Sequence, residues 1–228
     1  MKTANKLILA STSPRRKELM KSLELDFEVI PGNYEEDMSL DMKPSELAMT
    51  LAKGKAENVA KRVEEGVVIG ADTFVTYEGL LLGKPKNKDD AKRMLRMLSG
   101  GEQKVYSGIA VIDVLNKIKV VDYDMTIVKF RELSDEEIDL YIATGEPLDK
   151  AGAYGIQGLG REFIRSIEGS ESNVIGLPLE KLKKIWQEHN DDDWGKFSNE
   201  EITRYICEKI TLEETDFLSD KTKDQFRS

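Results

Sequence analysis

Six residues near the start of the chain, Ser11-Thr12-Ser13-Pro14-Arg15-Arg16, gather three hydroxyls, a proline and two guanidinium groups. The run Leu7-Ile8-Leu9-Ala10 before them reads as a short buried strand. Pro14 suits the first turn of a helix, and Ser13 is the natural N-cap. Arg15, Arg16 and Lys17 then fall at the positive end of the helix dipole, where each cation costs about 0.3–1 kcal/mol. Loop hydroxyls, free N–H groups and two guanidinium forks at a helix start can grip phosphate. A solvated basic first turn without a ligand fits the same local pattern.

Other candidates for chemistry are scattered along the chain. Asp72 interrupts the apolar run Val67–Val75, where an ionised carboxylate is costly unless it meets a cation or metal. A satisfied aspartate at a strand end is the structural alternative. Lys55 falls on the inner edge of a helical stripe formed by Leu51 and Ala56, whereas Lys53, about 200° around the helix, points elsewhere. Lys84 stands between Gly83 and Pro85, which restrict its direction. Tyr34-Glu35-Glu36-Asp37 is an acidic loop, by its charge alone a surface feature. The run Asp149–Gly160, DKAGAYGIQGLG, has glycines for close backbone approach, and its apolar residues are too specific for a linker.

The elements that must position these residues alternate between the two periods. Helices are expected over Pro14–Leu23, Pro44–Glu64 with Ser45 as cap, Asp89–Leu98, and from the capping box Ser134-Asp135-Glu136-Glu137 to Gly145. A last core helix should end near His189, placed there as a C-terminal charge. Strands are expected over Phe27–Ile30, Val67–Val75, Leu80–Leu82 after a Glu78-Gly79 turn, Lys104–Asp113, Lys117–Phe130 and around Phe163–Ile167. This is an α/β pattern. Residues 1–189 should form one domain, followed by an acidic, partly helical extension over 190–228.

Composition sets limits. Of 228 residues 39% are hydrophobic and 34% charged, and the net charge is −9. Such acidity argues against a duplex nucleic-acid binder, so an anionic ligand needs a local basic cluster, helped by a divalent cation. One cysteine and one histidine argue against a disulfide framework, a zinc centre and a Ser-His-Asp hydrolase. Acid–base work must fall to carboxylates and lysines. The N-terminal apolar run is too short for a signal peptide and no segment is long enough to span a membrane. A cytoplasmic protein is expected.

LILASTSPRRKEL, VVIGADTFV, LGKP, DKAGAYGIQG and NVIGLPL, in this order and spacing, resemble the Maf family of nucleoside triphosphate pyrophosphatases from about Leu7 to Trp186. Arg15, Thr73 and Gln157 look like the branch acting on dTTP and UTP. The resemblance implies an elongated mixed twisted β-sheet flanked by helices, with two lobes and a central cleft. It implies Mg²⁺- or Mn²⁺-dependent hydrolysis to monophosphate and pyrophosphate, and often a homodimer. Matched residue by residue, Ser11, Arg15 and Arg16 hold phosphate, Glu36 is the loop acid, and Lys55 and Lys84 are the catalytic lysines of the helix and of the GKP turn. Asp72 is the proton acceptor, and Gln157 with Thr73 helps choose the base. Glu36 and Asp72 could also hold the metal, and the sequence leaves open which of the two roles Asp72 takes. Gly100–Gln103 is an expanded turn, Ser107 replaces a common threonine, and the tail past His189 matches nothing in the family. Two other functions stay open: a nucleotide-binding regulator of septum formation acting through a protein partner at the tail, and a triphosphatase for non-canonical purines.

Overall fold

A computed structural model describes residues 6–35 and 41–188. The expectations for Glu36, for His189 and for the 190–228 extension lie outside the described residues. Strands β1 (Leu7–Leu9), β2 (Phe27–Val29), β3 (Val67–Tyr77), β4 (Leu80–Leu82), β5 (Glu102–Asp113), β6 (Ile118–Phe130) and β7 (Ile164–Glu168) form one seven-stranded sheet. Its order is β2-β1-β3-β5-β6-β7, with β4 pairing the far end of β3. Strands β2, β1 and β3 are mutually parallel and the remaining pairs antiparallel, so the fold is a mixed α/β sheet. Helices α1 (Pro14–Ser22), α2 (Pro44–Ala60), α3 (Lys88–Leu98), α4 (Asp135–Ala143), α5 (Glu171–Ile175) and α6 (Leu179–Glu188) flank it. Among the described residues no helix is long and apolar enough to cross a membrane.

Long β3 runs through two apolar cores. One end, Val67–Ala71, packs with Met20, Leu23, Leu182 and Trp186 on one face and with Ala52, Ala56 and Val59 on the other. The other end, at Val75, packs with Leu95 and Leu98 of α3, Ile138 of α4 and Phe130. The sheet edge changes partners between these cores. β1 pairs with β3 only as far as Ile69, and pairing of β3 with β4 begins at Val75. Over residues 70–74, β3 is bonded in the sheet to β5 alone among the described residues. This gap opens beside the carboxyl end of β1, where open parallel sheets place their ligands.

Helix α2 reaches this gap because the sheet beneath it has two glycines. Gly70 and Gly108 face α2, and a Cβ on Gly108 would stand 2.0 Å from the Ala48 carbonyl oxygen. A Cβ on Gly70 would stand 2.7 Å from that of Ala52. Small residues let the helix lie on the strands, which carries its later turn, and Lys55, to Asp72.

Local expectations met the structure unevenly. The Ser134 capping box forms as read. Ser13 occupies the N-cap of α1, but its hydroxyl makes no capping bond, and its N–H donates instead to Ser11 Oγ at 3.2 Å. Helix α2 begins one residue before Ser45, with Lys43 at the N-cap and Pro44 in its first turn. It ends at Ala60, four residues short of the expected Glu64, because the Lys61 N–H closes the last turn and the chain must bend back into β3. The five residues of α5 carry too little periodicity to be expected as a helix from sequence.

Candidate active site

The gap opens into a cleft of about 370 Å³. Seven of the nine residues singled out from sequence line it: Arg15, Arg16, Lys55, Asp72, Thr73, Lys84 and Gln157. Ser11 lies beneath Arg16, and Glu36 is outside the described residues.

Asp72 and Thr73 are neighbours on β3 and point to opposite faces of the sheet. Asp72 faces α2 and forms a salt bridge with Lys55; their side chains are 7% and 12% exposed. Two charges this buried need each other, because either alone would carry a large desolvation penalty. The pair thereby fixes the direction of a carboxylate that opens on the cleft.

Thr73 faces α1 and belongs to a second network, centred on Arg16. Arg16 Nε donates to the Gly176 carbonyl at 2.7 Å, Nη1 to Ser11 Oγ at 3.3 Å and Nη2 to Thr73 Oγ1 at 3.3 Å. Thr73 Oγ1 is also 2.7 Å from Ser107 Oγ and 3.2 Å from the Gly176 carbonyl oxygen. Ser107 Oγ donates to the carbonyl of fully buried Asn173 at 2.9 Å. Ser11 and Thr73 therefore bond to Arg16. Ser107 and Asn173 complete this support and were not found as functional from sequence. The one signal was Ser107, noted as a departure at a position directly opposite Thr73 in the β3–β5 register.

Arg15 turns the other way. Its Nη1 donates to Asp149 Oδ2 at 2.9 Å and its Nη2 to the Asp149 carbonyl at 3.3 Å. Lys150 Nζ donates to the other carboxylate oxygen of Asp149 at 2.7 Å. Burial would raise the Asp149 carboxyl, but the hydrogen bonds from Lys150 and Arg15 outweigh it and hold the group below the usual carboxylate range. Asp149 and Lys150 also line the cleft. Both stood inside the DKAGAYGIQG run, but a partner 134 residues away leaves no local sequence signal. Lys84 and Gln157 are exposed and enter from loops, Lys84 after β4 and Gln157 from a turn at 156–157.

Five cations (Arg15, Arg16, Lys55, Lys84, Lys150) and two carboxylates (Asp72, Asp149) thus meet in one cleft of an acidic protein. Such a site can bind a polyanion and take a proton next to it. Among the described residues no three His, Cys, Asp or Glu side chains gather into a metal cage. One or two carboxylates with substrate phosphate and water oxygens are what magnesium ordinarily uses, so Asp72 fits as a ligand.

The model of the Maf-like protein family matches residues 6–189. The chain is similar to a dTTP/UTP pyrophosphatase of Ruminiclostridium cellulolyticum, 45% identical over 186 residues, or 81% of this chain and 96% of the relative. It is similar to a dTTP/UTP pyrophosphatase of Bacillus anthracis, 48% identical over 188 residues, or 82% and 97%. Among solved structures, the Staphylococcus aureus Ham1 protein aligns over 81% of this chain and 98% of its own, at 15% identity and a TM-score of 0.45.

Proposed function

The chain belongs to the Maf-like protein family, and from that premise we propose that it hydrolyses dTTP and UTP to the monophosphate and pyrophosphate. The observation that carries this reading is the buried Lys55–Asp72 pair opening on a cleft with Arg15, Arg16 and Lys84. A triphosphate carries about four negative charges near neutral pH, and this cation set offsets them as charge develops on the leaving group.

Each residue then has a part. Arg16, held by Ser11, Thr73 and Gly176, grips phosphate from the start of α1, and Lys84 does so from the loop after β4. Lys55 orients the Asp72 carboxylate. Water oxygen bonds to a phosphorus beside the α–β bridge, its proton passes to Asp72, and the electrons of the broken P–O bond leave with the departing phosphate. Glu36 would hold magnesium or manganese, which when bound polarises phosphoryl oxygens and neutralises their charge; a direct metal bond from Asp72 is the alternative to its role as proton acceptor. In this proposal Arg15 and Gln157, which both line the cleft, read the base. Residues 1–189 form the catalytic unit in this proposal, and a homodimer belongs to it as well.

The test is pyrophosphate release from UTP and dTTP with Mg²⁺, compared with CTP and ATP. Wild type should prefer the first two, and Asp72→Ala should fall to background. Equal release by wild type and Asp72→Ala would sink the proposal.

A further inference from the structure

Gln157 enters the cleft from an irregular turn, so whatever holds that turn decides where its amide stands. The holder is Glu146, in the 3-10 turn after α4. Its Oε1 accepts from Tyr141 Oη at 2.9 Å and from the Gly160 N–H at 3.3 Å. Its Oε2 accepts from the Leu159 N–H at 3.0 Å. Tyr141 Oη accepts in turn from the Gly155 N–H at 3.3 Å. Both ends of the 155–160 turn are therefore tied to one carboxylate–phenol pair.

We propose that Glu146 is a positioning residue for base selection, acting through the Gln157 turn; this rests on the function proposed above. Two observations beyond the hydrogen bonds support it. A Cβ on Gly158 would stand 2.5 Å from Glu146 Oε1, so a side chain there must displace either the carboxylate or the turn that it holds. Tyr141 is 3% exposed, and burial, followed by the Glu146 charge, pushes its phenol upward, so it remains a donor. The same frame extends to the second base-reading residue. Lys150 Nζ donates to the Glu146 carbonyl at 2.7 Å and to Asp149, which holds Arg15.

The test compares Glu146→Gln and Gly158→Ala with wild type on UTP, dTTP, CTP and ATP, with inorganic tripolyphosphate as a base-free competitor. An amide has one acceptor oxygen and cannot serve donors on both sides; the alanine forces carboxylate and turn apart, whichever of the two moves. Both variants should raise KM for UTP and dTTP about tenfold or more, the scale of an ångström-level misplacement. The kcat values and the tripolyphosphate Ki should stay near wild type, so the preference over CTP and ATP narrows. Equal losses on every nucleotide and on tripolyphosphate, or wild-type KM values in both folded variants, would overturn the inference. If Glu146→Gln does not fold, Tyr141→Phe removes one donor while keeping the ring against Phe163, and a smaller shift of the same sign is expected. Gln157→Ala separates this inference from the reading beneath it. Lost preference in Gln157→Ala with retained preference in Glu146→Gln rejects the positioning role alone. Retained preference in Gln157→Ala, or none in wild type, rejects the base-reading assignment and this inference with it.

Discussion

Arg15 and Arg16 are adjacent in sequence and divide their work by what holds them. Arg16 is set by Ser11 in the loop after β1, Thr73 on β3 and the carbonyl of Gly176 at the C-cap of α5. Arg16→Ala should weaken every triphosphate by about 10–100-fold, the worth of hydrogen bonds to a charged group. Arg15→Ala should also blur the choice among bases, because Arg15 is tied to Asp149 and through it to the Gln157 side. Thr73→Val discriminates between two roles for that hydroxyl. If it works by holding Arg16, KM rises alike for all nucleotides; a change in base preference would show that Thr73 reads the base itself. The Lys55–Asp72 pair makes a separate prediction. Lys55→Met should destabilise the protein by about 3–5 kcal/mol by stripping a buried carboxylate of this cation, while Lys55→Met with Asp72→Leu should recover much of that in urea titrations yet remain inactive.

At the level of elements, α2 matters most, because its contact with the sheet sets the distance from Lys55 to Asp72. Gly108→Ala places a methyl within 2.0 Å of the Ala48 carbonyl oxygen, so helix or strand must move. A stability loss of about 1–3 kcal/mol is expected from overpacking. A fall in kcat on the order of a hundredfold should accompany it, since the moving helix carries Lys55, the partner of Asp72. Melting curves and UTP kinetics on one preparation check both. Helix α4 offers a pH test. Arg131 Nη2 donates to Glu137 at 2.6 Å, and this bond, with the capping bond from the Ser134 N–H, lowers the Glu137 pKa from 4.5 to about 2. A depressed folded-state pKa means its stabilisation is complete above about 4.5 and is lost as pH falls towards 2. Urea midpoints should therefore decline over that window, and Glu137→Gln should flatten the decline.

The whole molecule is acidic with a cationic cleft, an arrangement that focuses an anionic substrate onto one place. Its kcat/KM for UTP should fall as NaCl rises from 0.01 to 0.15 M, because the Debye length shrinks from about 30 to about 8 Å. Lys150→Gln should reduce that salt dependence, since it removes one of the cleft cations. The division of β3 between two apolar cores also explains where the cleft lies. Strand pairing on one edge lapses over residues 70–74, and the polar residues that an apolar strand would exclude, Asp72 and Thr73, sit in that lapse.

All the strands, the longer helices and five cleft residues, Arg15, Arg16, Lys55, Asp72 and Lys84, were legible from residue types and spacing, because periodicity, turn chemistry and capping act between near neighbours, whereas Thr73 and Gln157 came from the family resemblance. The reading that joined those residues into one phosphate site came from the order of the five motifs. What only the tertiary structure decided was the allocation of partners. Ser11 and Thr73 bond to Arg16, Asp149 takes Arg15 from across the cleft, and Glu146 pins the turn that presents Gln157. Polar side chains of this kind bond with whatever the strand register and loop closure bring within 3 Å or so. That proximity is a property of the packed sheet, and no local stretch of the chain encodes it.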